Sequence, residues 1–344
     1  MDFSFEEIIG RPEVLNSDPS NLVEYFSDKT ILVTGAGGSI GSEITRQLAA
    51  VGIQTFVALD RDENSLHRLQ LSIGSSALFD DSRFVLCDIK SDLSLEAVFR
   101  EYRPDVVIHA AALKHLSALE RFPLEAYFTN AKGTLNVLEK AKAFGVNRFI
   151  NISTDKAADP SSILGKTKRI AELLTAYFDR NSAMISNSVR FGNVFASRGS
   201  VIETFTSQIV DGAPLTLTDL NVKRYFMSVF EAAQLVLQTG PLKSSSIYLL
   251  KMGEAVFLAD IAKNLMKKLG KTVPILVTGL RPGEKINEDL LSKNETVVDA
   301  EIPQVSQIVQ TNWLLPLSLE SFSPNDNEEA RQKIDQLLKD AGEL

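Results

Sequence analysis

The chain holds one cysteine and three histidines in 344 residues. Cys87 has no second cysteine to pair with, so no disulfide can close within the chain, and a reducing compartment suits it. His67, His109 and His115 stand at no metal-ligand spacing and beside no cysteine pair, so no metal is expected. Long apolar runs are missing too. No window of about 18 apolar residues occurs, which leaves no membrane-spanning helix. The amino end, MDFSFEEIIG, is acidic and its apolar run stops at Gly10, unlike a signal peptide. A cytoplasmic location is the expectation. Cations are in deficit, with 36 Lys and Arg against 44 Asp and Glu and a formal net charge of −8. That balance disfavours nucleic acid, whose binding relies on clustered cations, but allows a local basic pocket for a small anion.

What is present is an ordinary globular balance, 44% hydrophobic and 23% charged. At this length about three quarters of the unfolded surface can be buried, so a large core needs no staples. From residue 29 onward, short β-branched runs alternate with helical spacing. The strands expected are KTILVTG (29–35), QTFVALD (54–60), RFVLCD (83–88), DVVIHAAA (105–112) and RFINIST (148–154), with helices near 42–52, 62–72, 92–102, 124–144 and 162–178. Near-continuous apolar strands between helices imply an α/β fold with a doubly wound parallel sheet whose ligands sit at the carboxyl ends of the strands. After residue 190 shorter strand-like pieces (214–218, 225–229, 246–251, 273–279) mix with helices near 200–211, 229–239 and 257–269. The expected division is a lead-in over 1–28, a Rossmann dinucleotide-binding unit over 29–190, a smaller C-terminal α/β substrate lobe over 191–317 with some sheet-completing elements, and a closing helix within 318–344.

Glycines 35, 38 and 41 follow the first strand and open the first helix. A tight turn there brings backbone against a pyrophosphate, and the helix offers free N–H groups and a positive dipole end. Asp60, ending the second strand, answers that loop. It would accept from an adenosine ribose hydroxyl, favouring NAD, whereas Arg61 beside it would meet the 2′-phosphate of NADP. Around the glycines, Ser39 and Ile40 belong to the same site, as do Asp88 and Ile89 after the third strand and the small residues Ala110 and Ala111 after the fourth. Asp88 reads equally well as a loop cap, and the alanines as simple packing beneath a helix. At the end of the fifth strand, Thr154, Asp155 and Lys156 set a hydroxyl, an acid and a base side by side, and Lys168 follows in a helix that starts on the same edge. An N-cap aspartate beside a solvated lysine is the plainer reading of that pair.

These residues resemble the extended short-chain dehydrogenase/reductases and, within them, the nucleotide-sugar 4,6-dehydratases of bacterial polysaccharide biosynthesis that act on UDP-N-acetylglucosamine. The likeness runs through FEEIIGRPEV (5–14), TGAGGSIGSE (34–43), HAAALKH (109–115), TNAKGTLNV (129–137), STDKAADP (153–160), RFGNVFASRGSV (190–201), VKRYFM (222–227) and GLRPGEK (279–285). It implies transient oxidation of the sugar at carbon 4, loss of water across carbons 5 and 6, and hydride return to carbon 6, with the cofactor regenerated. Asp155 then falls on the acid for the carbon 6 hydroxyl and Lys156 on the base at carbon 5, a lysine that would need its pKa lowered by burial or by cationic neighbours. The resemblance also implies that Asn193, Arg224 and Arg281 hold the substrate diphosphate and Glu284 the uridine ribose, that Lys114 lines the sugar pocket, and that Arg198, Val201 and Arg190 assist.

One position departs from the superfamily's Tyr-x-x-x-Lys pattern. Leu164 stands four residues before Lys168 where the tyrosine belongs, and leucine cannot exchange a proton. Asp155, or Thr154 relaying to it, is left to take the carbon 4 hydroxyl proton. The same features admit two other readings, an epimerase of the superfamily and a cofactor-binding protein with altered catalysis. The apolar faces of the helices near 124–144 (Leu135, Leu138) and 162–180 (Ile170, Leu173, Leu174) suit a homo-oligomer, or simply the covering of the sheet.

Overall fold

In the computed structural model, which describes residues 3–14, 20–74, 78–242, 247–310 and 324–344, the five expected β-branched runs form strands. They are β1 (Ile31–Thr34), β2 (Phe56–Asp60), β3 (Phe84–Leu86), β4 (Val106–His109) and β5 (Arg148–Thr154). Beyond them come β6 (Ile185–Phe191), β7 (Ile247–Leu250) and a hairpin of β8 (Glu295–Asp299) and β9 (Val305–Gln310). The nine make one sheet in the order β8-β9-β7-β6-β5-β4-β1-β2-β3, parallel from β3 to β7 and antiparallel in the hairpin. Alternate side chains feed two cores. Ile31 and Val33 pack on one face with Ile44, Leu48 and Val236, and Leu32 packs on the other with Phe149, Leu173 and Leu174.

Sequence pattern misses β6 because its middle is Ser186-Asn187-Ser188. Those residues are buried, and neighbours pair most of their polar atoms: Ser188 Oγ accepts from Asn151 at 3.0 Å and Asn187 Oδ1 from Arg148 at 2.8 Å, while Asn187 Nδ2 has no partner among the described residues. The strand expected over 225–229 shrinks to Phe226–Met227, since Ser228 and Glu231 form a reciprocal capping box that starts the helix Val229–Gln238. The helix expected over 124–144 is in three parts, with a π turn over Tyr127–Lys132 between Pro123–Ala126 and Gly133–Ala143. The lead-in is more structured than its polarity suggests. Its helix Phe5–Ile9 inserts Phe5, Ile8 and Ile9 among Phe195, Ile202, Phe205 and Leu265, the core of the smaller lobe. Part of the closing segment, 318–323, lies outside the described residues; the rest forms the helix Asn327–Asp340.

That last helix changes the expectation about assembly. Its Ala330, Ile334, Leu337 and Leu338 join the core formed by Leu135, Leu138, Ile170, Leu173 and Leu174, and Asp335 takes Lys166 at 2.6 Å. All five residues expected to face a second subunit are therefore buried within a single chain. The homo-oligomer reading loses the apolar faces on which it rested.

A second correction concerns Arg190, expected near the substrate diphosphate. Its guanidinium is fully buried, 2.7 Å from Glu172 and 2.8 Å from Glu295. Arg169 binds the same two carboxylates at 2.9 and 2.8 Å and takes Glu343 at 3.0 Å. Burial works against the Glu295 charge, but Arg190 and Arg169 outweigh it and hold its carboxyl at about 2. Removing one partner of such a network strands a buried charge, so Glu295→Gln should cost about 3–5 kcal/mol in urea unfolding. Asp299→Asn, which breaks the exposed pair with Lys251, should cost less than about 1 kcal/mol. Because the folded Glu295 carboxyl titrates below its ordinary 4.5, its contribution to stability should be complete above that value and fade as pH falls toward about 2.

Candidate active site

The turn after β1 needs glycine at two places. Gly35 has φ +67°, and a Cβ there would lie 2.6 Å from the Ala111 backbone; at Gly41 a Cβ would lie 2.2 Å from the Gly35 carbonyl. The helix Ser39–Ala50 starts with Gly38 as its N-cap and no side chain closing its first N–H groups. Asp60 braces the loop, its Oδ2 accepting from Gly37 N at 2.8 Å. A cavity of about 120 Å³ is bounded by Gly35, Gly38, Asp60, Arg61, Asp88, Ile89, Ala110 and Ala111, with Arg61 3.9 Å from Asp88. Beneath it, His109 bridges Thr34 and Thr134 at 2.8 and 3.0 Å; burial drives it down to about 3, so it is a neutral structural group.

This cavity shares Gly38, Ala110, Ala112 and Leu113 with a larger one of about 590 Å³ that reaches the end of β5. Ser39, Ile40, Gly41, Lys114, Thr154, Lys156, Leu164, Lys168, Asn193, Arg198 and Val201 are on its wall. The sequence-expected dinucleotide groups thus meet Thr154, Lys156 and Lys168 along one trench at the carboxyl ends of the strands, while Asp155 borders neither cavity and lies buried behind Lys156. The donor set fits a dinucleotide: a glycine cradle that no Cβ would enter, a helix amino end with free N–H groups, and an acidic residue closing β2.

At the end of β5 the chain tightens into a 3₁₀ turn over Asp155–Ala157, and the Asp155 side chain is completely buried. Its Oδ1 accepts from Thr154 Oγ1 at 2.9 Å and from Lys156 Nζ at 3.0 Å, while Oδ2 has no partner among the described residues. Lys156 also donates to Asn193 Oδ1 at 3.2 Å and lies 3.5 Å from Glu288. Burial pulls the ammonium down, but Asp155 and Glu288 outweigh it and hold Lys156 above the usual lysine value. That is the reverse of what a resting lysine base was expected to need. Lys168, by contrast, is pushed down to about 8 by burial against the opposing pull of Glu172. Leu164 and Lys168 are one turn apart on the helix Ile163–Arg180 and share the cavity wall.

The groups expected to hold the sugar nucleotide divide. Lys114, lowered by burial, donates to Ser197 at 3.2 Å, and Val201 opens the helix Val201–Val210 on the cavity wall. Arg198 turns the other way. Its backbone N donates to Ser39 Oγ at 3.2 Å, and its guanidinium donates to Ser65 Oγ at 3.0 Å and to the Gly37 carbonyl, so it clasps the glycine loop on the dinucleotide side. Arg224, Arg281 and Glu284 border neither cavity. Arg224 donates to the carbonyls of Lys223, Lys285 and Ile286, while Arg281 donates to Ser117 at 3.0 Å and stays exposed. Glu284 lies between them, 3.6 Å from Arg224 and accepting from Arg281 N at 3.2 Å.

Two residues of the site carry no expectation from sequence. Asn130, set by the π turn, accepts from Leu113 N and donates to Leu113 O, pinning the loop that leads to Lys114. Glu288 touches Lys156 directly; its only sequence signal is an acidic residue three places beyond the Arg-Pro-Gly-Glu-Lys run. Among the described residues no group of metal-binding side chains occurs, and no helix is long and apolar enough to cross a membrane.

Residues 31–310 match the polysaccharide biosynthesis protein family. The Bacillus subtilis (strain 168) protein named probable polysaccharide biosynthesis protein EpsC is 40% identical over 97% of this chain, which spans 57% of that relative's length. The solved structure of Pen from Bacillus thuringiensis superposes with a TM-score of 0.75 at 28% identity, covering 92% of this chain and 98% of that one. DesIV of Streptomyces venezuelae, a dTDP-glucose 4,6-dehydratase solved with NAD, shares the fold at a TM-score of 0.66 and 22% identity over 76% of this chain and 87% of its own. The glycine cradle, the strand order and the matched length lead to one conclusion: the chain belongs to the polysaccharide biosynthesis protein family and has the fold of nucleotide-sugar dehydratases and epimerases.

Proposed function

We propose that this chain carries the active site of a nucleotide-sugar 4,6-dehydratase acting on a UDP-linked N-acetylhexosamine, with UDP-N-acetylglucosamine the first substrate to test. The observation that carries the reading is the Asp155–Lys156 pair, 3.0 Å apart, with Lys156 and Lys168 on the wall of one cavity. An epimerisation at carbon 4 needs proton transfer at a single hydroxyl. Eliminating water across two neighbouring carbons needs an acid and a base side by side, the chemistry this pair supplies.

A nicotinamide dinucleotide suits the smaller cavity. When bound it supplies a hydride acceptor and donor for a sugar carbon. Gly35, Gly38 and Gly41 leave room for its diphosphate, Asp60 takes a ribose hydroxyl and favours NAD, and Arg61 is the group that would meet the extra phosphate of NADP. Lys168 holds the nicotinamide ribose.

On the sugar side, Asp155 protonates the departing carbon 6 hydroxyl and Lys156 takes the hydrogen from carbon 5. Thr154, donating to Asp155 at 2.9 Å, orients that carboxylate, and the carbon 4 hydroxyl proton goes to Lys168, pushed down to about 8 and one turn from the leucine that stands in the tyrosine's place. Lys114 and Asn193 contact the sugar. For the diphosphate, Arg281 is the cation freest to move, because Arg224 is committed to three carbonyls; Glu284 takes the uridine ribose.

Given NAD and UDP-N-acetylglucosamine with no added reductant, the protein should release a nucleotide sugar lighter by one water. Asp155→Asn should slow that turnover by roughly 10²–10⁴-fold and leave NAD binding unchanged. A product of unaltered mass would identify an epimerase, and no product from any N-acetylated nucleotide sugar would reject the reading. Calorimetric titrations test the cofactor clasp separately. Arg198→Ala should weaken NAD binding by roughly tenfold, the loss of about one charged hydrogen bond, without altering the affinity for UDP. Weakened UDP binding with unaltered NAD binding would return Arg198 to the sugar side.

A further inference from the structure

Glu288 belongs to the loop over 278–294, between Val277 and the start of β8, and its side chain is 5% exposed. Its Oε1 lies 3.5 Å from Lys156 Nζ and 3.6 Å from Arg224 Nε, so one buried carboxylate is shared by two cations. The charged groups facing Lys156 are Asp155 from its own turn, Glu288 from this loop and, behind Glu288, Arg224 from the strand Lys223–Arg224. The loop is pinned where it crosses the start of the helix Ile163–Arg180. Ser161 Oγ donates to Gly283 O at 3.0 Å, and Lys285 Nζ donates to Asp159 O at 2.8 Å. Glu288 is therefore held in place, not swept through solvent.

An ammonium has three protons to donate and no lone pair. At Lys156 three acceptors surround it: Asp155 Oδ1 at 3.0 Å, Asn193 Oδ1 at 3.2 Å and Glu288 Oε1 at 3.5 Å. In that state Lys156 cannot take a proton from a sugar carbon. It has to lose one first, and the carboxylates in reach are Asp155 and Glu288. Transfer to Asp155 yields a neutral amine beside a neutral carboxylic acid, the two species an elimination needs. Transfer to Glu288 would supply the amine and leave Asp155 without a proton to give.

We propose that Glu288 is a positioning residue for Lys156, keeping the ammonium in place and charged until substrate excludes water and its proton crosses to Asp155. The proposal rests on the dehydratase reading for its timing and on the geometry alone for its charge pairing. In the transfer an N–H bond of Lys156 breaks and an O–H bond forms on Asp155, while Glu288 stays ionised and paired with Arg224. Excluding water favours this step, because a neutral pair loses less by desolvation than an ion pair. Elimination then returns the pair to its resting form: Lys156 gains the carbon 5 hydrogen as a proton and Asp155 gives its proton to the leaving hydroxyl.

The test is a titration of Lys156 itself, by nitrogen-15 resonance of the lysine side chains in the NAD-loaded protein, with Lys156→Met assigning the signal. In Glu288→Gln the Lys156 midpoint should fall by about one pH unit or more, because one of its two carboxylate partners loses its charge. Glu288→Asp, which keeps the charge but draws it back, should move the midpoint the same way by less, and it serves if the glutamine variant does not fold. A midpoint equal to wild type in either folded variant overturns the proposal. In turnover, the limb of kcat/KM that falls at high pH should shift to lower pH in Glu288→Gln, because the Lys156 proton that Asp155 needs is lost earlier, whereas a purely structural loss would depress the whole profile without moving it. Should the midpoint move while wild-type protein yields no dehydrated sugar, the dehydratase reading fails and the charge pairing stands.

Discussion

Four buried charges hold the working parts of this chain in register. Arg169 and Arg190 share Glu172 and Glu295 behind the sheet, and Glu343 completes the set from the far end of the chain. Each charge is costly to bury alone, so the helix Ile163–Arg180, strand β6, the hairpin and the chain end have to arrive together. The network also touches the site. Ser153 Oγ donates to Glu172 at 2.6 Å, which fixes the last residues of β5 just before Thr154, Asp155 and Lys156. On the same helix Arg169 faces the network while its neighbour Lys168 faces the cavity. The helix Ile163–Arg180 is thus held from behind by ion pairs while it presents Lys168 to the cavity.

Three lysines within one trench show how environment divides a single residue type. Lys156 is held charged by two carboxylates and an amide oxygen. Lys168, buried without an ion-pair partner among the described residues, is pushed down to about 8. Lys114, also lowered, leans on the hydroxyl of Ser197. Groups of one kind driven apart in proton affinity are what acid and base roles require. The lobe beyond residue 190 contributes to both ends of the trench, with Asn193 against Lys156 and Arg198 against the glycine loop.

Much of this was legible in the sequence because it is local. β1 to β5 and the Gly35–Gly41 turn depend on short apolar runs and on glycines whose positions follow from backbone sterics. Asp155 and Lys156 could be picked out because they are adjacent. What escaped depends on distance along the chain or on burial of polar residues. β6 hides its strand character behind Ser186, Asn187 and Ser188, the last two of which take partners inside from Arg148 and Asn151 of the neighbouring β5. Arg190 looked like a substrate ligand because an arginine beside a binding motif invites that reading, and its true partners lie 18 and 105 residues away. The π turn that delivers Asn130 has no signature in periodicity, and Glu288 becomes meaningful only once the loop over 278–294 folds back on β5. The faces of Leu135 and Leu173 were open to two readings until the closing helix covered them.

The central claim is that one trench removes a hydrogen at carbon 5 and a hydroxyl at carbon 6 of a UDP-linked N-acetylhexosamine. The most direct measurement is the nuclear magnetic resonance spectrum of the product formed from UDP-N-acetylglucosamine in deuterium oxide. The account predicts a 4-keto sugar with deuterium at carbon 5 and a methyl group at carbon 6 that carries no solvent deuterium. A product that keeps its carbon 6 hydroxyl and has no deuterium at carbon 5 would contradict it.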